Sequence, residues 1–197
     1  MYARIVKKKL LKKVKQTQAL SIFFSDTFYR IDESCESVYN KVSAFKHRGN
    51  TVEFFINGTR RGLGRYWIDR YPEKCVSTME DCEVFINNKH DGYLQVHRLY
   101  QAAEQGKRII NIGSAGSDWT KGYKDNFRYG LEKKQLRDAN DALFWQNVDT
   151  TIINFGYFDT ERSAHKDVKK MSLDYVHDVI IWVLDQPHRI KEITVTP

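Results

Sequence analysis

The sequence predicts an α/β fold of three layers, in which helices cover both faces of a mostly parallel sheet. Short apolar runs typical of buried strands alternate with longer segments whose apolar residues recur at helical spacing. Glycine or proline follows several of these segments, as at Gly49, Pro72, Gly106 and Pro187. Because a parallel strand needs a crossover, and a helix supplies one, this alternation favours parallel pairing.

The elements can be assigned in chain order. Residues 16–31 predict one or two strands, and residues 33–46 predict a helix. From residue 51 onward the predicted strands are 52–56, 84–87, 108–112, 151–155 and 190–195. The predicted helices are 63–71, a segment around 96–103, 123–145 and 173–184, the last capped by Ser172. We therefore divide the chain into residues 1–50, a basic arm with a βα extension, and residues 51–197, a single α/β domain.

The net charge of +7 comes from the amino terminus. Seven of the 32 basic residues lie among the first fifteen positions, where there is no acidic residue. The remainder of the chain contains 25 basic and 25 acidic residues, so its formal net charge is zero. A basic arm can contact phosphate, an anionic surface or a second subunit. Since no basic face interleaved with aromatic residues continues beyond it, we do not expect nucleic acid as a partner.

Composition excludes several other classes. With 41% hydrophobic and 29% charged residues, the chain resembles a globular protein, and its apolar runs are far shorter than the roughly 20 residues that span a bilayer. We expect a cytoplasmic protein with no membrane contact. Cys35, Cys75 and Cys82 are odd in number and lack C-x-x-C spacing, and the six histidines show no ligand spacing. We expect reduced thiols and no metal.

A glycine loop lies between the strand 52–56 and the following helix. It has G-x-x-x-G-x-G spacing, and its residues are Gly58, Thr59, Arg60, Arg61, Gly62, Leu63 and Gly64. Backbone amides and the positive end of a helix can bind a pyrophosphate at such a position, and glycine permits its close approach. An ordinary glycine-rich turn is the alternative.

A second set of residues suggests acid–base chemistry. Ser114 follows the strand 108–112, and Tyr129 and Lys133 lie one turn apart on the long helix. Open α/β sheets build their sites at the carboxyl ends of parallel strands, where Ser114 falls. A phenol beside an ammonium can exchange a proton with substrate, and we expect the ammonium to lower the phenol's pKa. Y-x-x-x-K spacing alone is common by chance, so the order of the three residues carries the argument.

From about residue 51 to the end, the sequence resembles the short-chain dehydrogenase/reductase family, whose fold is Rossmann-like. The glycine loop matches, with Asn57 where threonine is usual, and so does the strand ending in Ser114. The family's N-N-A-G segment resembles Asn87-Asn88-Lys89-His90, in which the two asparagines are kept. The Y-x-x-x-K motif is Tyr129 to Lys133, and the family's P-G-x-x-x-T segment resembles residues 155–160, with Phe155 for proline and Thr160 at its end.

The resemblance implies hydride transfer between a nicotinamide and a small carbonyl or alcohol substrate. Tyr129 would exchange the proton, Lys133 would hold the nicotinamide ribose and lower the tyrosine pKa, and Ser114 would orient the carbonyl. The glycine loop, Asn87, Asn88 and Thr160 would contact the cofactor. Arg61 resembles a basic residue that favours NADP(H) over NAD(H). The helices ending near Gln105 and Trp145 correspond to the family's dimer faces, which implies a homo-oligomer.

The chain also departs from the family. Between Gly64 and Asn87 there is no room for two strand and helix units of the adenine side, and only a fragment at 75–77 fits. We hypothesise that residues 17–47 occupy the vacated space. The family's asparagine on the helix before the serine strand has no clear counterpart, since Asp91 or Gly92 falls there. An inactive nucleotide-binding or oligomeric derivative is therefore the alternative function. A nucleotide-sugar epimerase or dehydratase would need a larger carboxyl-terminal domain.

Overall fold

The computed structural model describes residues 52–118 and 127–197. The predicted elements of the first fifty residues, including the hypothesised replacement strand and helix, lie outside the described residues. The strands are β1 (Phe54–Ile56), β2 (Val84–Asn87), β3 (Arg108–Ile112), β4 (Thr150–Phe155) and β5 (Glu192–Val195). The helices are α1 (Gly62–Arg70), α2 (Leu94–Glu104), α3 (Phe127–Trp145) and α4 (Leu173–Leu184).

These strands form one sheet in the order β1-β2-β3-β4-β5, and every neighbouring pair is parallel. The register aligns Ile56 with Ile86, Ile110 with Ile86, and Asn111 with Ile152. The predicted α/β fold is therefore confirmed. Since all five strands run the same way, their carboxyl ends meet at one edge of the sheet, where β1, β2 and β3 lead into the loops of the candidate site.

Helices cover both faces of the sheet, as the sequence predicted. On one face α1 and α4 pack over a core that includes Trp67, Ile86, Ile110 and Ile180. On the other face α2 and α3 pack over a core that includes Phe85, Leu99, Ile109 and Leu136. Successive strand residues such as Ile109 and Ile110 point to opposite faces, which explains why the strands are apolar without alternation.

Among residues 52–118 and 127–197, β1 is the last full strand on its side of the sheet. There Cys75 forms one parallel bridge with Phe54, in which the amide of Phe54 donates to the Lys74 carbonyl (2.8 Å) and the amide of Val76 donates to Phe54 (2.9 Å). Within residues 52–118 and 127–197, nothing further pairs with β1 on that side. The predicted fragment at 75–77 thus amounts to a single bridge.

Predicted and observed boundaries differ by a few residues at most where both can be compared. The first strand begins at Phe54 instead of Val52, and the last begins at Glu192 instead of Ile190. The predicted cap of the last helix is present, because the Ser172 hydroxyl accepts from the amide of Tyr175 at 3.2 Å. The first turn of the long predicted helix falls on residues 123–126, outside the described part of the chain. None of the described helices is long and apolar enough to cross a membrane.

Candidate functional site

The glycine loop connects β1 to α1 and is tightly folded. A Cβ added at Gly64 would lie 2.2 Å from the Gly58 carbonyl oxygen, so the first turn of α1 lies directly against the loop. Gly58 itself has φ of +80°, a conformation that other residues rarely adopt, and it packs against Lys89. Glycine is therefore required at both positions, because the backbones approach closely here.

Asn57 fastens this loop to the end of β2. Its side-chain oxygen accepts from the amides of Asn88 (2.7 Å) and Lys89 (2.5 Å), and its side-chain nitrogen donates to Asn87. Asn88 in turn donates to the Asn57 carbonyl at 3.1 Å. The residue that departs from the family's usual threonine therefore has a defined structural role, holding the loop against the β2 end.

The amino terminus of α1 meets the requirement for binding a phosphate group. Arg61 occupies the N-cap position without a side-chain cap, and the first turn contains no acidic residue. The first amides of the helix thus have no side-chain acceptor, and the helix dipole favours an anion there. The predicted loop residues Thr59, Arg60 and Arg61 are exposed beside it, whereas the side chain of Leu63 is buried in the core and can offer only its backbone.

Ser114, Tyr129 and Lys133 converge at the carboxyl end of β3. Lys133 on α3 donates to the carbonyl of Ile112, the last residue of β3, at 2.8 Å. Its Nζ lies 5.9 Å from the centre of the Tyr129 ring, and Ser114 is near enough to Tyr129 to lower the pKa of its phenol. The Ser114 hydroxyl also accepts from the amide of Gly116 (3.1 Å). The three side chains predicted as a set therefore lie together.

Lys133 is almost completely buried and has neutral partners. Its second hydrogen bond goes to the side-chain oxygen of Gln95 at 2.9 Å, and within the described ranges no carboxylate forms an ion pair with it. Burial, and then the positive charge of Arg162, lower the pKa of Lys133 to about 7, although Asp91 and Glu132 act in the opposite direction. Near neutral pH this amine can therefore hold or release a proton.

The expectation that the pKa of Tyr129 lies below its ordinary value was wrong. Burial raises the pKa of Tyr129 above its ordinary value and outweighs the lowering by the neighbouring Ser114 hydroxyl and by the charge of Arg162. Lys133 is not among the causes of the shift. Removal of the phenol from water disfavours its charged form, so burial is the dominant influence on its pKa. Tyr129 is accordingly a protonated phenol at neutral pH.

A histidine and a glutamate lie directly beside Tyr129. The His90 ring packs edge-on against the Tyr129 ring with centres 4.7 Å apart, and its Nε2 lies 2.9 Å from a carboxylate oxygen of Glu132. Glu132 is buried and also accepts from Arg128 at 2.8 Å. The hydrogen bond from Arg128 is the main reason that the pKa of Glu132 lies below its ordinary value. In the sequence His90 stands where the N-N-A-G motif is not kept, and no motif predicts a role for Glu132.

The segment after β4 reaches the glycine loop. A Cβ added at Gly62 would lie 3.6 Å from the methyl carbon of Thr160, which places Thr160 beside the loop. Thr160 and Ser163 cap each other around a 3-10 turn, Glu161–Ser163. The amide of Met171 donates to the Tyr157 carbonyl and the amide of Asp159 donates to the Met171 carbonyl, both at 2.8 Å. These two bonds hold together the ends of the segment that contains the turn. The structure therefore brings the last predicted contact, Thr160, next to the loop.

Asn87 was predicted to contact the cofactor, but its side chain is not accessible. Its side chain is fully buried and bonds to Asn57, to the Gln95 carbonyl (2.9 Å) and to Asn111 (2.9 Å). Asn111 continues the chain of bonds to Asn140 and Thr150. This buried ladder joins the glycine loop to α3. Gln95 connects the ladder to Lys133. No sequence motif predicted this role, and its position in the first turn of α2 was the available signal.

Comparison with known proteins finds neither a matching family model nor a matching curated protein. Solved structures do match. A short-chain dehydrogenase from Burkholderia cenocepacia in complex with NADP is 13% identical, with a TM-score of 0.55 over 74% of this chain and 89% of that chain. An apo SCOR enzyme from Clostridium thermocellum is 13% identical, with a TM-score of 0.57 over 75% and 92%.

A further similar structure is the 3-ketoacyl-(acyl-carrier-protein) reductase from Brucella melitensis complexed with NADH. It is 10% identical, with a TM-score of 0.54 over 75% of this chain and 97% of that chain. The proteins that this chain resembles in three dimensions are thus short-chain dehydrogenases/reductases. At these identities the likeness establishes a shared Rossmann-like fold.

Proposed function

We propose that this chain is an NADP(H)-dependent oxidoreductase that transfers hydride to or from a small carbonyl or alcohol, with residues 51–197 as its catalytic domain. The observation that carries the proposal is the meeting of Ser114, Tyr129 and Lys133 at the carboxyl end of β3, on a sheet whose first loop is rich in glycine. A protonated phenol with a hydroxyl neighbour and a nearby amine is the arrangement that carbonyl reduction needs.

Each of these residues takes a distinct role. Tyr129 donates its proton to the carbonyl oxygen during reduction, and its raised pKa keeps that proton in place at neutral pH. Ser114 donates a hydrogen bond to the same oxygen and orients it. Lys133, with a pKa of about 7, returns a proton to the phenolate after transfer. Its burial against Gln95 and Ile112 fixes the position from which it does so.

The cofactor fits the residues at the glycine loop. The uncapped first turn of α1, with Gly62 and Gly64, would hold its pyrophosphate, and Lys133, Asn88 and Thr160 would line the path towards the nicotinamide. Arg60 and Arg61 are exposed cations beside that turn, which favours the additional 2′-phosphate of NADP(H) over NAD(H). When bound, the nicotinamide supplies or accepts the hydride; the protein supplies the proton and the orientation.

The second candidate is a nucleotide-binding or oligomeric protein without turnover. One observation favours it: beyond β1 the described sheet has only the Cys75 bridge, so little is present there to enclose an adenine. The exposed aromatic residues Tyr100 on α2 and Trp145 on α3 support self-association through these helices. Light scattering of the full chain tests that association, with a monomer as the contradicting result.

A titration with NADPH and with NADH separates the two candidates. We expect saturable binding of NADPH by calorimetry, weaker binding of NADH, and reduction of at least one small aldehyde or ketone. Tyr129→Phe should bind NADPH as the wild type does and lose turnover, since only the proton is removed. Binding without turnover in the wild type would favour the second candidate, and no binding of either dinucleotide would contradict the first candidate and favour an oligomeric protein of the second kind.

A further inference from the structure

His90 and Glu132 form a hydrogen-bonded pair that the proposed reduction does not use as an acid or a base. Nε2 of His90 lies 2.9 Å from a carboxylate oxygen of Glu132, which also accepts from Arg128. The loop that carries His90 passes close to Glu132, because a Cβ added at Gly92 would lie 3.2 Å from the same carboxylate. Glycine, here at φ of +67°, permits this approach. The path of the backbone therefore supports the pair as well as the bond itself.

The bond to Glu132 decides which nitrogen of His90 carries the proton. The pKa of Glu132 lies below its ordinary value, chiefly through the hydrogen bond from Arg128, so its carboxylate is ionised at neutral pH and can only accept. Nε2 of His90 is therefore the donor. Burial, and then the charge of Lys133, lower the pKa of His90 and outweigh the opposite effect of Glu132, so the ring is neutral at neutral pH. Nδ1 then keeps its lone pair, and among residues 52–118 and 127–197 it has no hydrogen-bond partner.

This basic nitrogen belongs to a ring that contacts the phenol of the candidate site. The centres of the His90 and Tyr129 rings are 4.7 Å apart, and the His90 side chain is 22% exposed, so solvent and a small molecule can reach it. Formation of an enol needs an acid at the carbonyl oxygen and a base at the carbon next to the carbonyl. Tyr129 and His90 bring one of each to neighbouring positions, at a separation that a single small carbonyl compound can span.

From this geometry we infer a second activity, the exchange of protons on the carbon next to a carbonyl group, with His90 as the base and Tyr129 as the acid. Nδ1 of His90 removes the proton, the electrons of that C–H bond form a double bond to the carbonyl carbon, and the carbonyl oxygen takes the phenolic proton. The result is an enol, a phenolate and an imidazolium that Glu132 stabilises. Return of a proton exchanged with solvent restores the ketone, so no oxidant or reductant is needed. The inference shares the carbonyl position with the proposed function but requires neither dinucleotide nor hydride.

The test measures deuterium incorporation into cyclohexanone, butanone and hydroxyacetone in D2O by NMR, with the full chain and no dinucleotide. We expect the wild-type protein to exchange the protons next to the carbonyl of at least one of these compounds faster than buffer alone. His90→Phe keeps a ring beside Tyr129 but lacks the base, so it should lower the protein-dependent rate about a hundredfold. Tyr129→Phe, which lacks the acid, should lower it about tenfold or more. His97→Phe, at an exposed position on α2, is the matched control and should exchange at the wild-type rate.

Two results would overturn the inference. One is wild-type exchange no faster than that of buffer for all three compounds. The other is a rate that neither His90→Phe nor Tyr129→Phe lowers, which would assign the exchange to a base on the surface. Glu132→Gln is a second variant in case His90→Phe does not fold; its amide no longer stabilises the imidazolium, so it should lower the rate about tenfold, and an unchanged rate contradicts the inference. Exchange without hydride transfer from NADPH would support this inference and contradict the proposed function, and hydride transfer without exchange would do the reverse.

Discussion

The side-chain oxygen of Gln95 accepts a hydrogen bond of 2.9 Å from Nζ of Lys133. Because this acceptor is neutral, it leaves the lysine charge uncompensated in a buried position. Gln95→Glu should therefore raise the pKa of Lys133 from about 7 by roughly 1 to 3 pH units. The pH dependence of unfolding in urea measures this shift. Gln135→Glu, an exposed change on the same helix as Lys133, should leave it unaltered; equal behaviour of the two variants would contradict the assignment.

The same burial predicts how stability depends on pH. The folded amine titrates at about 7 and the unfolded one near 10, so between these values the unfolded chain binds a proton that the folded chain lacks. The free energy of unfolding should thus rise with pH across this window, by up to about 1.4 kcal/mol per pH unit. In Lys133→Met this contribution should vanish. Parallel curves for wild type and variant from pH 7 to 10 would show that Lys133 is not the titrating group.

His90 should position the Tyr129 ring. Its edge-on contact and its bond to Glu132 hold one side of the phenol, so His90→Ala should lower kcat about three- to tenfold by allowing Tyr129 to move. His90→Phe keeps the ring contact and should lose less. His97→Ala, on the exposed face of α2, is the control. An equal loss in His90→Phe and His90→Ala would contradict a packing role and would indicate that the imidazole acts through its hydrogen bond or its proton.

The buried asparagine ladder should contribute to stability. Asn111→Leu is close in size but removes the partners of Asn87, Asn140 and Thr150. Asn140 and Thr150 keep their bond to each other, and Asn87 keeps its bond to the Gln95 carbonyl. A buried group that loses a hydrogen bond costs about 1 to 3 kcal/mol, so we expect a loss of about 1 to 3 kcal/mol in urea unfolding. Gln101→Leu, at an exposed site on α2, should change stability by less than about 0.5 kcal/mol. A loss below about 1 kcal/mol in Asn111→Leu would mean that the ladder is not structurally important.

Gly64→Ala tests the glycine loop directly. Its new methyl group would meet the Gly58 carbonyl at 2.2 Å, so the loop must move away from α1. We expect the Kd for NADPH to rise at least tenfold. Gly106→Ala introduces a methyl at a positive φ with no neighbour within 4 Å, so it should lower stability without changing the Kd. If both variants bind NADPH equally, the loop does not hold the dinucleotide.

Local patterns were sufficient to predict much of the fold. The apolar runs and helical spacing gave the strand Val84–Asn87 and the helix over residues 173–184 with its Ser172 cap, because buried strands, amphipathic helices and caps are encoded by neighbouring residues. The grouping of Tyr129 and Lys133 followed from one helical turn, and that of Ser114 from the rule that strand ends meet at one edge.

The features of the site that could not be predicted from the sequence depend on contacts between residues far apart in the chain. The pKa of Tyr129 was expected to fall, since spacing reveals a nearby lysine, but burial by distant residues raises it. Gln95 and Glu132 acquire their roles only when α2, α3 and the β2 end are packed together, which no local pattern encodes. The ladder from Asn57 to Asn140 requires the strand order, and that order is known only from the folded sheet.

The most direct test of the central claim is transfer of deuterium from C4-deuterated NADPH to a small carbonyl compound, followed by mass spectrometry of the alcohol. The wild-type protein should transfer the label in repeated turnovers, and Tyr129→Phe should bind the dinucleotide with similar affinity and transfer at least a hundredfold more slowly. Transfer by Tyr129→Phe at the wild-type rate would contradict the role given to the phenol, and no transfer by a wild-type protein that binds NADPH would contradict the proposed activity.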